Sequence, residues 1–377
     1  LVYFGKLVEL FVEACVEKGI PRNPDFNGEK QEGAGFCQFT IKNGKRNSTA
    51  VAFLRPVLDR PNLTVITGAH THKVIIENQA AKGIVYSQGK SLKEVYAAKE
   101  VILSAGAFNS PQILMLSGIG PAEELKKHQI EVQVDLPGVG QNLQDHLFYL
   151  TCSMSKQAWG GNHYTKPQHM LAAAANYLFR RKGILCASPL EGMAFVKLPT
   201  ATDRPNLQIH FVPLQLHNYD VDIYSPNQFS GQDGFSILPT LLKPKSRGWI
   251  KLRSNQAQDK PIIQPNFLEA KEDRQLLLDG FHLAMELHGT KVFKEHIQKT
   301  HFPKPGLKDE KAIFKHIHQA LHTVYHPVGT CKMGDDEMAV VDAELKVHGI
   351  EGLRVVDGSI MPTIVSGNTN APIIMIG

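Results

Sequence analysis

The stretch from Val101 to Gly120 constrains the fold most. Val101-Ile102-Leu103-Ser104 is a short apolar run rich in β-branched residues, which reads as a strand. It passes directly into Ala105-Gly106-Ala107, and Ser110 followed by Pro111 predicts a helix capped at the serine with proline in its first turn. Strand, small-residue turn and helix make a unit that lets backbone approach a cofactor. Ordinary strand-on-helix packing asks for the same small residues, so the motif alone leaves both uses open.

The flanking sequence divides by its periodicity. Phe4, Leu7, Val8, Phe11, Val12, Cys15 and Val16 share one face at helical spacing, and Gly19 stands where a left-handed C-terminal cap belongs. Alternating segments at Leu63 to Thr67, Lys73 to Glu77, Gly83 to Ser87 and Glu100 to Leu103 predict strands. From about Leu150 to His322 the texture changes. There the pattern predicts helices over Met170 to Arg181 and Asp273 to Leu287, with strands at Leu207 to Val212, Gly234 to Leu242 and Trp249 to Leu252. Gly352 to Asp357 returns as a strand.

With 377 residues, 42% of them hydrophobic and 20% charged, the chain can bury the cores of two intertwined domains. A net charge of +5 is small for this size, and the basic clusters Arg180-Arg181-Lys182 and Lys243 to Arg247 are short and free of interleaved aromatics, which argues against a nucleic-acid site. Five cysteines, never spaced Cys-x-x-Cys, indicate neither a disulfide framework nor a zinc site. His318 and His322, four apart on an expected helix, could share a metal but lack the glutamate of a His-Glu-x-x-His motif, which favours surface histidines. No apolar run reaches the roughly eighteen residues of a spanning helix. A targeting peptide would lie upstream of this sequence, so a cytoplasmic or peripherally membrane-associated location is the open expectation.

The chemistry concentrates near the end of the chain. Tyr325-His326-Pro327-Val328-Gly329-Thr330-Cys331-Lys332-Met333-Gly334 sets one imidazole on a loop pinned by glycine and proline, and Gly367-Asn368-Thr369-Asn370-Ala371-Pro372 adds two side-chain amides. A base to take a proton and a donor to steady the oxyanion left behind suit an enzyme acting on a hydroxyl group. Both blocks are similar to the active-site region of the glucose-methanol-choline (GMC) oxidoreductases, flavoenzymes that oxidise alcohols. The run Gly106 to Gly120 resembles a second signature of that family, and Gly138-Val139-Gly140-Gln141-Asn142-Leu143-Gln144-Asp145-His146 follows at the usual place. The likeness continues through Asn47 to Ala50, Arg60 to Leu63, Pro244 to Gly248 and Asp357 to Thr363, so it covers nearly the whole chain.

The resemblance implies a mixed α/β fold, in which a Rossmann-like FAD-binding domain is interleaved with a substrate domain of antiparallel sheet and helices. Residues 1–57 would be a helix and loop packing between the domains, 58–148 part of the FAD domain, 149–335 the substrate domain, and 336–377 the return to the FAD domain. The family opens with a glycine-rich ADP-binding turn. This sequence starts beyond it, inside a helix, and so reads as an internal piece of a longer enzyme.

The resemblance also implies roles. His326 matches the catalytic base, and Asn368 the second catalytic position, which is His or Asn in the family. Ala105 and Gly106 fall in the region that touches FAD. Val74 matches a residue whose backbone meets the adenine, Asp357 and Gly358 a pair near the ribityl and pyrophosphate, and Asn370 a neighbour of the flavin ring. Without the resemblance, Asn-x-Asn and Asp-Gly would be turn chemistry. Val324, Tyr325 and His210 are expected at the substrate pocket, with strand packing the other reading of His210. Cys331 reads as a packing residue. The implied activity is oxidation of a primary alcohol by a choline dehydrogenase-like enzyme, with electrons passing to a quinone or another acceptor. An O₂-using oxidase, a flavin-containing hydroxynitrile lyase and a non-catalytic fragment are the alternatives. Choline itself is doubtful, because its cation asks for an aromatic cage or a carboxylate, and Glu191, a nearby candidate, occurs also in members of the family that use plain alcohols.

Overall fold

The strands Leu207–Val212 and Gly234–Leu241 pair antiparallel, with Leu207 opposite Leu241 and Val212 opposite Ser236, and every residue of both is buried. Period-two alternation therefore separates two buried faces. Leu207, Ile209 and Phe211 share one with Phe235 and Ile237, while Gln208 and His210 share the other with Ser236 and Thr240. The apolar face is covered by the helices Lys6–Glu17 and Lys271–His288. Phe11 stacks on Phe211 with ring centroids 4.7 Å apart, and Phe235 on Phe293 at 4.5 Å. A Cβ at Gly280 would stand 3.1 Å from Leu207, so the absent side chain lets the second helix lie close to the sheet.

The computed structural model describes residues 5–201, 203–216, 231–304 and 306–377. Phe4, expected on the first helix, lies outside the described residues. Two units are present. The first comprises Leu1–Pro56, Leu147–Lys243 and Lys271–Val324. It is built on an eight-stranded sheet, wholly antiparallel, that runs from Gly33–Phe36 through Gly192–Val196 to the two central strands. Beyond Gly234–Leu241 the sheet forks. Leu147–Phe148 and His322–Thr323 continue it at one end, Thr151–Ser155 and Ile297–Phe302 at the other.

The second unit comprises Val57–His146, Pro244–Ala270 and Tyr325–Gly377. Its centre is a parallel pair, Val101–Leu103 with Leu353–Val355, flanked by the helix Gly106–Leu116. A three-stranded antiparallel sheet, Ala69–Glu77, Ala80–Gln88 and Ser91–Tyr96, belongs to the same unit. Leu114, Ile119, Val139, Ile250 and Val355 are fully buried in its core.

Three boundaries differ from the sequence reading. Residues 244–270 belong with the second unit and not with the antiparallel sheet, because Gly248 and Leu143 exchange both backbone hydrogen bonds at 2.9 Å. The crossing back into the second unit falls at Tyr325, ahead of residue 335. Leu63 to Thr67 is irregular; the strand starts at Ala69. His318 and His322 do not share a helix either, since the helix Glu310–Gln319 ends between them.

Phe235 is fully buried, whereas Phe53 in the same unit is 63% exposed. Phe235→Ala is expected to destabilise by about 3–5 kcal/mol, and Phe53→Ala by under roughly 0.5 kcal/mol. Urea unfolding followed by circular dichroism checks the contrast, and equal midpoints would contradict this core assignment.

Candidate active site

Asp357 lies two residues past the return strand Leu353–Val355, with its carboxylate inside the second unit, 6% exposed. A buried carboxylate must be met by donors. Oδ2 accepts from the Gly106 N–H at 2.9 Å and the Ser110 hydroxyl at 2.6 Å, and Oδ1 from the Ser359 N–H at 2.7 Å. These bonds tie the end of the return strand to the strand-turn-helix unit. They also move the helix start. The helix begins at Gly106, not Ser110, and Ser110 Oγ accepts from the Ala105 N–H at 3.0 Å from within the first turns. Pro111 is thus interior and cannot donate to the Ala107 carbonyl. The Thr330 hydroxyl supplies that bond instead, at 2.6 Å.

The loop carrying His326 is held along its length. The Gly329 and Cys331 N–H groups donate to the carbonyls of Gly358 and Ser359 at 3.3 and 2.9 Å, and Met333 N–H to Ile360 at 2.8 Å. Val328 and Gln144 exchange two backbone bonds at 3.0 and 3.1 Å. Gly329 has φ +95°, and a Cβ there would stand 2.5 Å from the Asn142 carbonyl oxygen, so only glycine fits. Asn142 in turn donates to the carbonyls of Gly329 and Pro362, both at 3.1 Å. The loop before Asn368 is therefore tied back to the loop after His326.

His326 itself has two polar tethers. Its N–H donates to Asp145 Oδ1 at 2.9 Å, and its Nδ1 lies 2.9 Å from Nδ1 of His146, the rings edge to face at 83°. Burial lowers the His326 pKa to about 4, so the ring is neutral near pH 7. Two imidazoles hydrogen-bonded through their Nδ1 atoms need one Nδ1–H between them. With that proton on His326, its Nε2 is left as a free lone pair.

Asn368 is exposed on the loop that enters the helix Asn370–Ile376, and Asn370 is that helix's first residue. Ile373 and Ile376 pack with Val328, Met361 and Ile364, which couples this helix to the His326 loop through apolar contact. Gly106 has φ +81° and no atom within 4 Å of where a Cβ would sit, so its backbone can be approached closely. Ala105, Gly106, Asp357 and Gly358 are thus brought together at one strand end.

Val74 is 2% exposed, and its N–H is taken by Ser117 Oγ at 2.8 Å. Tyr325 is 80% exposed at φ +61° and opens the second unit, while Val324 closes the first. His210 lies in the first unit's sheet, buried, with Nδ1 3.0 Å from Thr240 Oγ1. Glu191 is buried there too. It accepts the Gly5 N–H at 2.7 Å, and burial pushes its pKa up to about 7. Cys331 is wholly buried, which drives its thiol pKa upward. Sequence reasoning assigned no role to Asn142, Gln144, Asp145 or His146. The Gly138 to His146 block was the signal that could have found them.

Two family models, both described as GMC oxidoreductase, match residues 2–148 and 244–377. An alcohol dehydrogenase [acceptor] of Pseudomonas putida is 43% identical over 98% of the chain and 66% of its own length. An oxygen-dependent choline dehydrogenase of Brucella anthropi is 39% identical over 98% of the chain and 67% of its own. Among solved structures, a pyridoxine 4-oxidase from Mesorbium loti superposes with TM-score 0.84 at 26% identity, over 98% of this chain and 68% of that one. The chain belongs to the GMC oxidoreductase family. It spans about two thirds of the length of the curated relatives it matches.

Two outcomes follow from the site. The His326 ring should titrate near pH 4 in an NMR titration of the full-length protein, and a pKa at or above 6.5 would contradict its desolvation. A histidine lowered on folding adds stability above pH 6.5 that is lost as pH falls toward 4. Thr330→Val leaves the buried Ala107 carbonyl without that donor and should cost about 1–3 kcal/mol in urea unfolding.

Proposed function

We propose that this chain carries the proton-abstracting site of an FAD-dependent alcohol dehydrogenase, which oxidises a primary alcohol to its aldehyde and hands electrons to a quinone or another acceptor. The observation that carries this reading is the neutral His326, held by Asp145 and paired through Nδ1 with His146. The relatives' names agree on alcohol oxidation and differ in acceptor.

When bound, the flavin supplies the hydride-accepting atom and so the redox chemistry. The open backbone at Gly106, with Ala105, Asp357 and Gly358 around it, fits a cofactor's phosphate and ribityl portion, and Asn370 would flank its ring. His326 Nε2 takes the hydroxyl proton while the His326 Nδ1–H keeps donating to His146 Nδ1. Asn368 donates its amide to the developing alkoxide, a contact that strengthens as charge builds. His146 thus orients the base without touching the substrate. A neutral alcohol is expected in preference to choline, whose cation asks for an aromatic cage or a carboxylate.

The test is anaerobic flavin absorbance of the full-length enzyme during addition of primary alcohols and choline. Bleaching by an uncharged alcohol is expected, with His326→Ala slowing it by about 10²–10⁴-fold and Asn368→Ala by roughly 10²-fold. A flavin that stays oxidised across the panel would overturn the oxidation reading in favour of a lyase. His146→Ala should lower kcat more than it raises KM and shift the pH profile, while His146→Gln, which can still accept from Nδ1–H, should restore much of the rate.

A further inference from the structure

The helix Pro167–Arg180 buries only Ala173. Leu171 is 72% exposed, Leu178 64%, Phe179 87% and Met170 43%. Leu171 and Leu178 lie two turns apart on one side of the helix, with Met170 and Phe179 at its margins and Ala174 and Ala175 between. A surface helix normally turns its apolar stripe to the core. Here the stripe faces outward.

Charge marks the same segment. Between Lys166 and Leu190 the chain carries Lys166, Arg180, Arg181 and Lys182 and no Asp or Glu. All four cations are exposed. Arg181 closes the helix at φ +52°, with its guanidinium 4.5 Å above the Tyr177 ring, so the basic cluster is held at the helix end beside Leu178 and Phe179.

We propose that this helix docks the protein on an anionic lipid surface, lying in the interface with Leu171, Leu178 and Phe179 among the acyl chains and Arg180 to Lys182 at the head groups. An outward apolar side joined to a purely basic end is what such a surface binds. Its 14 residues extend about 21 Å, short of a membrane's hydrocarbon thickness, so it lies on the bilayer and does not cross it. No helix among the described residues is long and apolar enough to span. A protein groove would accept the apolar residues alone; the acid-free cluster of cations favours the anionic surface.

The full-length protein with its bound flavin is sedimented with vesicles of phosphatidylcholine and phosphatidylglycerol in equal parts, and with phosphatidylcholine alone. It should pellet with the anionic vesicles and much less with the neutral ones. Leu171→Gln/Leu178→Gln/Phe179→Gln should weaken binding at least about tenfold, and Arg180→Gln/Lys182→Gln about thirty-fold on anionic vesicles only. Far-UV circular dichroism and lipid-free alcohol oxidation should be unchanged in both variants. Binding is read without turnover, so it stands or falls independently of the oxidation reading. Wild-type protein left in the supernatant with both vesicles, or apolar variants that pellet like wild type, would overturn the proposal. So would a wild-type dimer that the apolar variant converts to monomer without any vesicle binding, which would assign the face to a second copy of the chain.

Discussion

The second unit depends on one buried carboxylate. Asp357 gathers donors from the turn at Gly106, from the helix at Ser110 and from its own Ser359 N–H, and without them a charge at 6% exposure would be expensive to keep. Because those donors come from segments far apart in sequence, the charge fixes the parallel strands Val101–Leu103 and Leu353–Val355 at their ends. The residues just after it then form a ladder with Gly329, Cys331 and Met333. The position of His326 is in this sense inherited from Asp357.

Local pattern made much of this legible. The strand Leu207–Val212 has the limits its alternation predicts, and the helix Lys271–His288 brackets the predicted one. What alternation does not reveal is that both faces of a strand are covered, since a polar face bearing Gln208 and His210 looks like a solvated one. Ser110 shows a different limit. Ser-Pro is a sound N-terminal signal, but a competing acceptor distant in sequence captures the Gly106 N–H and starts the helix earlier. Thr330 then covers the carbonyl that proline leaves open, and no local rule links residues 107 and 330.

The candidate site divides in the same way. His326 and the Asn368 loop were readable because glycine and proline spacing marks a backbone held in unusual conformations. His146 was readable only as a letter in a motif. Its function is a 2.9 Å contact between two Nδ1 atoms, which exists only once Gln144 and Val328 have paired and set the two rings against each other.

That contact bears on how the base can work. Burial that keeps His326 neutral also lowers its affinity for a proton, and a base with a pKa near 4 is weak against an alcohol. It cannot hold the proton unless something favours the imidazolium. In the proposed reaction the alkoxide is such a charge, since an anion within a few ångströms raises the pKa of a histidine in a low-dielectric site. In the proposed reaction the His326 Nδ1–H, donated to His146, keeps the lone pair aimed while this happens, and the Asn368 amide would share the alkoxide's charge without neutralising it. On the proposed mechanism the ring is thus a poor base in the resting protein and a better one as the anion forms beside it.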